Sequence, residues 1–317
     1  DYGSFTVMPV SGSLALALKK PESVFTHENE VSSPAHYQVK LDRYNLQVDM
    51  TGSARSGIIQ VTALASDSVY LLINVNSDEA EGDLILDGDA IIGTNPVHRI
   101  YQGWGEYAGF DGHLFMLTDK KATISGAFKK DKIIQSKKIL GDGNAGLYIG
   151  FYLKKGECIS MKMGTSFTSK QNAYKNLVKE IPGWNFSTIQ QETKQTWELA
   201  LSKIEIGHAT SQQNRVFYTG LYHAMQHPRL FNDVDGQYPA FASKNTIKVS
   251  KGDYYDDFSM WDIYRAQIPL LEILKPTLVN DLVSSLVDKG RQGGWLPIFP
   301  CWNSYTAAMI GDHTPSV

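Results

Sequence analysis

Two patterns of apolar spacing divide this sequence. In residues 1–168, Tyr37, Val39 and Leu41 alternate with polar positions, as do Leu46, Val48 and Met50 after the break Asp42-Arg43-Tyr44-Asn45. Period-two alternation lays one face of an extended chain on a core, so this pair predicts a β-hairpin. Residues 69–75, 83–92 with an Asp87-Gly88 turn, 113–117, 122–124, 146–153 and 157–163 continue in the same manner. Many short strands joined by Gly, Asp and Asn turns, with no helix between them, predict a sandwich of antiparallel sheets.

Near Ser169 the period lengthens. Ala173, Leu177, Val178 and Ile181 recur at helical spacing up to the breaker pair Pro182-Gly183, and Ser187 with Gln190 has the spacing of a capping box before a helix over 191–206. From Ser211 onward every regular segment reads as helical. One helix carries Phe217, Leu221, Ala224 and Met225 and ends at Pro228; a second covers 261–274, kinked by Pro269. A third starts at Pro276, buries Leu278, Val279, Leu282, Val283, Leu286 and Val287, and stops at Lys289-Gly290; a fourth begins near Asn303. Helices joined by Gly/Pro/Trp-rich loops predict the opening pairs of an α/α toroid. The fold class is therefore multi-domain β plus α, an N-terminal antiparallel β-sandwich followed by the first helices of an (α/α)6 toroid. The expected domains are 1–168 (sandwich, its start missing), 169–210 (helical linker) and 211–317 (first part of the toroid).

A chain of 317 residues exceeds the usual reach of one hydrophobic core, which agrees with that division. The net charge of −3 and the lack of a concentrated Lys/Arg stripe argue against nucleic-acid binding. No apolar run approaches the about 18 residues of a membrane-spanning helix. The two cysteines, Cys158 and Cys301, have no CxxC or metal spacing. GxSxG, Walker and GxGxxG motifs are absent, which argues against the common hydrolase, nucleotide and redox chemistries.

Candidate chemistry concentrates in Phe258-Ser259-Met260-Trp261-Asp262-Ile263-Tyr264-Arg265, Gly293-Gly294-Trp295-Leu296-Pro297 and Met309-Ile310-Gly311-Asp312-His313. A pyranose offers apolar C–H faces that stack on indole and hydroxyls that need fixed hydrogen-bond partners, so tryptophans beside carboxylates make carbohydrate the working ligand class. Each residue also has a plain structural reading. Trp261 is as readily core with Asp262 a helix cap, Trp295 a packed corner, Asp312-His313 a hydrogen-bonded helix end, and Trp104 in Trp104-Gly105-Glu106 a strand-edge residue. Trp302 and Asn303 are candidates to extend the rim. His223 and His227 lie four apart, a zinc-compatible spacing, but no Glu follows His223 in the HExxH sense and a structural role is favoured. Asp233-Val234-Asp235-Gly236 lacks the remaining ligands of an EF-hand and reads as a tight turn.

In this order, these blocks, together with 222–229 (Tyr222 through Arg229) and 233–236, resemble glycoside hydrolase family 92, the calcium-dependent exo-α-mannosidases. Residues 1–10 and 25–30 are similar to that family's amino-terminal β-domain; the likeness is weak between about 52 and 186. The resemblance implies removal of terminal α-linked mannose, with α-1,2 as one of the linkages it admits, by a calcium-assisted inverting mechanism on a mannose-containing glycan, in a secreted or periplasmic protein. It places Trp261 and Asp262 in the subsite for the terminal mannose, with Trp295, Asp312, His313 and Trp104 as further substrate contacts. The general acid and base are expected beyond Val317, so this chain would supply part of a site and be inactive alone. Two other readings stay open: a non-catalytic carbohydrate-binding protein, and a polysaccharide lyase using Tyr264, Arg265, Asn303 and Tyr305. The lyase would need a basic cleft for uronates, and no local Lys/Arg excess surrounds Trp261 or Trp295.

Overall fold

In the computed structural model, which describes residues 2–77, 80–100, 103–141 and 144–317, the alternating segments form two antiparallel sheets. Asp1, which opens the first block similar to family 92, lies outside the described residues. The five-stranded sheet runs in spatial order Phe5–Ser11, Asp67–Val75, Ala145–Leu153, Ile124–Lys129 and Lys132–Ile134. The nine-stranded sheet runs Lys138–Leu140, Asp83–Asp87, Ala90–His98, Tyr107–Thr118, Cys158–Ser166, Ser56–Ala63, Leu46–Gly52, His36–Leu41 and Glu30–Ser33. The expected hairpin is present in register, with Val39 opposite Val48 and Leu41 opposite Leu46. Its reversal is a short 3-10 turn, Asp42–Tyr44, closed by Asn45 at φ +47°, a conformation that asparagine tolerates better than most residues.

The sandwich core draws on both sheets: Val10, Leu71, Ile73 and Leu147 from the smaller, Leu46, Val61, Met116 and Ile159 from the larger. In the central strand Ala145–Leu153, Ala145 through Phe151 are all buried, so its apolar run is continuous where a half-exposed strand would alternate. Short strands at 132–134 and 138–140 and the strand Ser56–Ala63 add to those read from spacing.

Two helices outside the helical region to come are α1 (Leu14–Lys19) and α2 (Lys170–Glu180). The N-terminus of α2 is capped by Ser169, whose hydroxyl accepts from the Asn172 amide. Helix α2 lies on the strand Cys158–Ser166 at Gly164, where a Cβ would sit 2.1 Å from the Ala173 carbonyl oxygen. The chain leaving it is held by the Lys162 ammonium, which donates to the carbonyls of the C-cap Ile181 (3.0 Å), Pro182 (3.1 Å) and Gly183 (3.3 Å).

Helix α3 (Phe186–Leu201) starts five residues earlier than the spacing of Ser187 and Gln190 predicts, because Asn185 accepts from the Thr188 amide and is the cap. The capping box is one helix later: in α4 (Ser211–Ala224), Thr210 and Gln213 bond reciprocally. The predicted kinked helix is two helices, α5 (Met260–Ile263) and α6 (Gln267–Leu274). Proline has no N–H to give the Arg265 carbonyl, so the helix breaks before Pro269, which then fits in the first turn of α6. Helix α7 (Pro276–Gly293) begins at Pro276 as expected but runs past Gly290 to a left-handed cap at Gly294.

The region after Ser211 is not wholly helical. Arg229–Leu230 pairs with Tyr255–Asp256, Gln237–Pro239 with Ile247–Val249, and Pro300–Cys301 with Ser304–Tyr305. The helix expected from Asn303 is that last strand followed by loop, ending in a single 3-10 turn at Thr314–Ser316. Trp302 and Asn303 adopt φ of +52° and +51°, which no right-handed helix accommodates. The chain forms two compact units. One holds 3–96 and 111–194; the other holds Tyr2, 97–110 and 195–317. The apolar core of the second joins Phe258, Met260 and Ile263 to Ile268, Leu271, Val279, Leu282 and Leu286.

Candidate functional site

The second unit gathers the blocks singled out in the sequence. Helix α5 is one turn long, with Phe258 and Met260 fully buried on one side. Trp261 is left 40% exposed and Asp262 faces solvent, its carboxylate taking a hydrogen bond from the Ser259 hydroxyl. Asp262 is thus tied to its own turn and leaves further acceptor positions open to water. Two residues on, the Tyr264 ring lies flat against His313, centroids 4.0 Å apart and planes 3° from parallel. The Arg265 guanidinium is 5.0 Å from the centre of the Tyr264 ring.

That stack joins the Trp-Asp block to the Gly-Asp-His block. Gly311 holds φ +89°, and a Cβ there would come within 2.5 Å of the His313 ring, so any other residue at this turn would be strained and would push on that ring. Asp312 is exposed. The Thr314 hydroxyl bonds the Pro297 carbonyl and so ties His313 to the Gly-Gly-Trp-Leu-Pro corner. At that corner the Tyr305 hydroxyl both accepts from the Trp295 amide (3.1 Å) and donates to the Trp295 carbonyl (2.6 Å). The backbone of Trp295 is fixed while its indole is 80% exposed.

Trp104 belongs to the same compact unit, in the turn where the Gly105 amide bonds the Arg99 carbonyl, and is 79% exposed. Trp302 and Asn303, the candidate rim residues, are instead buried. Of the residues a lyase would use, Asn303 is therefore interior and the Tyr305 hydroxyl is engaged on both sides by Trp295. His223 is in the last turn of α4 and His227 is beyond the helix end, so the two do not share a helical face. At 233–236 the Gly236 amide bonds the Asp233 carbonyl, which is the tight turn expected.

Behind the exposed blocks is a polar interior that the sequence reading did not anticipate. The Lys289 ammonium and the Asp256 carboxylate, both with fully buried side chains, form an ion pair at 3.0 Å. Lys289 also donates to the Tyr254 hydroxyl (2.6 Å), Tyr254 donates to the Asn303 side-chain oxygen (3.2 Å), and the Asn303 amide returns to Asp256 (2.7 Å). Burial pushes the Asp256 carboxyl up and the Lys289 ammonium down from their ordinary values, and the attraction between the two opposes both shifts. Burial also lifts the Tyr254 hydroxyl far above the usual phenol range. The neighbouring Asp257 takes the hydroxyl of Tyr2, the thiol of Cys301 at 3.2 Å and the Arg229 guanidinium at 3.3 Å. One sequence signal was available: Lys289 continues the apolar stripe Val279, Leu282, Leu286 of α7, where a lysine needs a buried partner.

The profile of the glycosyl hydrolase family 92 catalytic domain matches residues 172–317, and that of the family's N-terminal domain matches residues 1–166. This chain belongs to glycosyl hydrolase family 92. An uncharacterized secreted glycosidase of Arthroderma benhamiae is 28% identical over 166 residues, 45% of this chain and 20% of that protein. A family 92 α-mannosidase of Bacteroides thetaiotaomicron, solved in complex with mannoimidazole, is 26% identical with a TM-score of 0.85, covering 99% of this chain and 43% of its own. A family 92 inverting mannosidase of the same organism shares the fold at 22% identity and a TM-score of 0.87, covering 100% of this chain and 42% of that one. The chain therefore spans less than half the length of these family 92 relatives. Its sheet sandwich followed by helices is the N-terminal domain and the start of the helical toroid of that family.

Proposed function

We propose that this chain supplies the mannose-holding wall of a secreted glycoside hydrolase that removes terminal α-linked mannose from glycans. The observation that carries the reading is the exposed Trp261 beside Asp262 on a one-turn helix whose next aromatic, Tyr264, is stacked on His313. An indole held in water beside a carboxylate offers the C–H face of a pyranose a stacking surface and its hydroxyls an acceptor. Trp295 on its fixed backbone, Asp312, His313 and Trp104 fill out the contact set. Family membership and the mannoimidazole complex of the bacterial relative support mannose as the sugar. The secreted relative supports export.

Inversion at the anomeric carbon needs a protonated carboxylic acid at the leaving oxygen and a carboxylate activating water from the opposite face, roughly 6.5–9.5 Å apart. We assign neither role to a residue of this chain. Here the protein's own groups bind and orient: Trp261 stacks, and Asp262 accepts from hydroxyls while Ser259 holds its carboxylate in place. Calcium is part of the proposal by family, and no residue of this chain is assigned to it. No group of three or more His, Cys, Asp and Glu that could hold a metal ion occurs among the described residues, so no step is routed through the ion. An α-1,2 preference is the linkage proposed.

The test is the intact mass of the purified material beside mannose release from an α-mannoside, with and without a chelator. Chelator-sensitive release from a species well above 35.3 kDa supports the reading for the longer protein. Release by a verified 35.3 kDa species would overturn the assignment of the acid and base to other segments. If neither species releases mannose and Trp261→Ala leaves binding of methyl α-D-mannoside unchanged, the sugar wall itself is refuted.

A further inference from the structure

The segment that presents Trp261 leaves the strand Tyr255–Asp256 through Asp257, a non-glycine residue at φ +64°. Trp302, whose amide bonds the Tyr2 hydroxyl, and Asn303, whose amide bonds the Asp256 carboxylate, are left-handed as well. Such backbone is strained and persists only where its surroundings over-determine it. Around Asp257 they do. One carboxylate oxygen takes hydrogen bonds from Tyr2 and Cys301, and the other, which accepts no hydrogen bond from the described residues, has the Arg229 guanidinium as an ion-pair partner at 3.3 Å. The Tyr2 hydroxyl accepts from the Trp302 amide at 2.9 Å, its ring stacks on Trp302 at 5.8 Å and 18°, and the Arg229 guanidinium is 4.4 Å from the centre of that ring. On the far side of the turn the Phe258 amide bonds the Pro300 carbonyl at 3.0 Å. Three residues separate Asp257 from Trp261, and two of them, Phe258 and Met260, are fully buried.

Glycine at 257 would make the same turn without strain. An aspartate there adds only one thing, a carboxylate gripped from three directions at the point where the chain turns toward the exposed indole. We propose that Asp257, with Tyr2 and Arg229 as its clamp, is a positioning residue that fixes the orientation of Trp261 and Asp262. This rests on the mannose-holding role given to that pair. Asp257 touches no sugar; it acts through the backbone of Phe258-Ser259-Met260, which a left-handed residue at 257 aims into the core so that the next side chain emerges.

The full chain labelled with 5-fluorotryptophan tests this, with the Trp261 fluorine resonance identified by its loss in Trp261→Phe. Asp257→Gly keeps the turn and removes the clamp; Tyr2→Phe removes one donor without disturbing the ring stack; Asp257→Asn keeps both the left-handed backbone and an acceptor for Tyr2. The ligand-free Trp261 resonance is expected to shift or broaden in the first two and to stay near wild type in Asp257→Asn, while Trp184 in the sheet unit does not move. Affinity for methyl α-D-mannoside should fall by up to about tenfold in the first two, since a misaligned ring forfeits a stacking contact of that order. A Trp261 resonance unchanged in a folded Asp257→Gly protein overturns the proposal, and so does a common shift of Trp184 and Trp261, which would mean general loosening. A wild-type protein with no mannoside response sinks the sugar reading alone, because the positioning of Trp261 is read without ligand.

Discussion

Lys289 shows how one residue can be conspicuous in a sequence and still be misread. It completes the apolar stripe of α7 but reads in the sequence only as part of the helix stop; in the structure its ammonium is sealed against Asp256 and Tyr254. Removing one partner of a buried pair leaves the other charge uncompensated, at a cost of about 3–5 kcal/mol. Lys289→Ala should therefore lose that much in urea denaturation, and Asp256→Asn combined with Lys289→Met should lose less than Lys289→Ala alone. Equal losses would show that packing, not the charge pair, decides the site. Cys301 gives a second prediction. Burial first, and then the Asp257 carboxylate, push its thiol well above the ordinary range, so folding lowers the thiolate fraction at pH 8. Iodoacetamide should label Cys301 far more slowly in the native protein than in urea; equal rates, read by peptide mass, would contradict the arrangement. Trp261, Asp262, Trp295 and His313 were legible as residues because aromatic and acidic side chains in loop-like sequence stand out. Asp257 was not, since what marks it is a backbone angle and three partners distant in sequence.

Elements were legible where one period governs them. The hairpin Tyr37 to Met50 follows alternation, and its register is fixed because a slip by one residue would turn Val39 and Val48 away from the core. Boundaries failed where a competing local bond decided them: Asn185 rather than Ser187 caps α3, and Pro269 divides α5 from α6. Helix α2 illustrates support that no pattern within the helix reveals, since the carbonyls of its C-cap Ile181 and of Pro182 just beyond are met by Lys162 from a neighbouring strand. The ammonium so placed lies near the negative end of the helix dipole, where a positive charge is stabilising. Burial lowers the Lys162 ammonium from its ordinary value, which limits the net gain. Lys162→Met should cost about 1–2 kcal/mol and be seen as faster amide exchange in the last turn of α2. Gly164→Ala on the same strand forces a Cβ to 2.7 Å from the Leu177 Cβ and 2.1 Å from the Ala173 carbonyl oxygen. Its expected cost is about 2–3 kcal/mol by thermal unfolding, and a wild-type melting temperature would mean that α2 can slide on the sheet.

At the scale of the whole chain, the sequence gives the succession of a sheet region and a helical region plainly, because the change of period near Ser169 is abrupt. The membership of 97–110 in the unit that carries Trp261 was hidden, since its spacing is that of the strands on either side. Two units with separate apolar cores predict thermal unfolding that departs from a single two-state transition. Methyl α-D-mannoside should raise only the transition assigned to the helical unit, by about 1.4 kcal/mol at ten times its Kd. A shift confined to the sheet unit would put the sugar elsewhere. The polypeptide passes between the two units after Tyr2, Pro96, Phe110 and Lys194. Four crossings interleave the two units along the chain: after one protease nick at any crossing the units are still joined covalently by the other three, and neither unit can be expressed as a single uninterrupted stretch of gene.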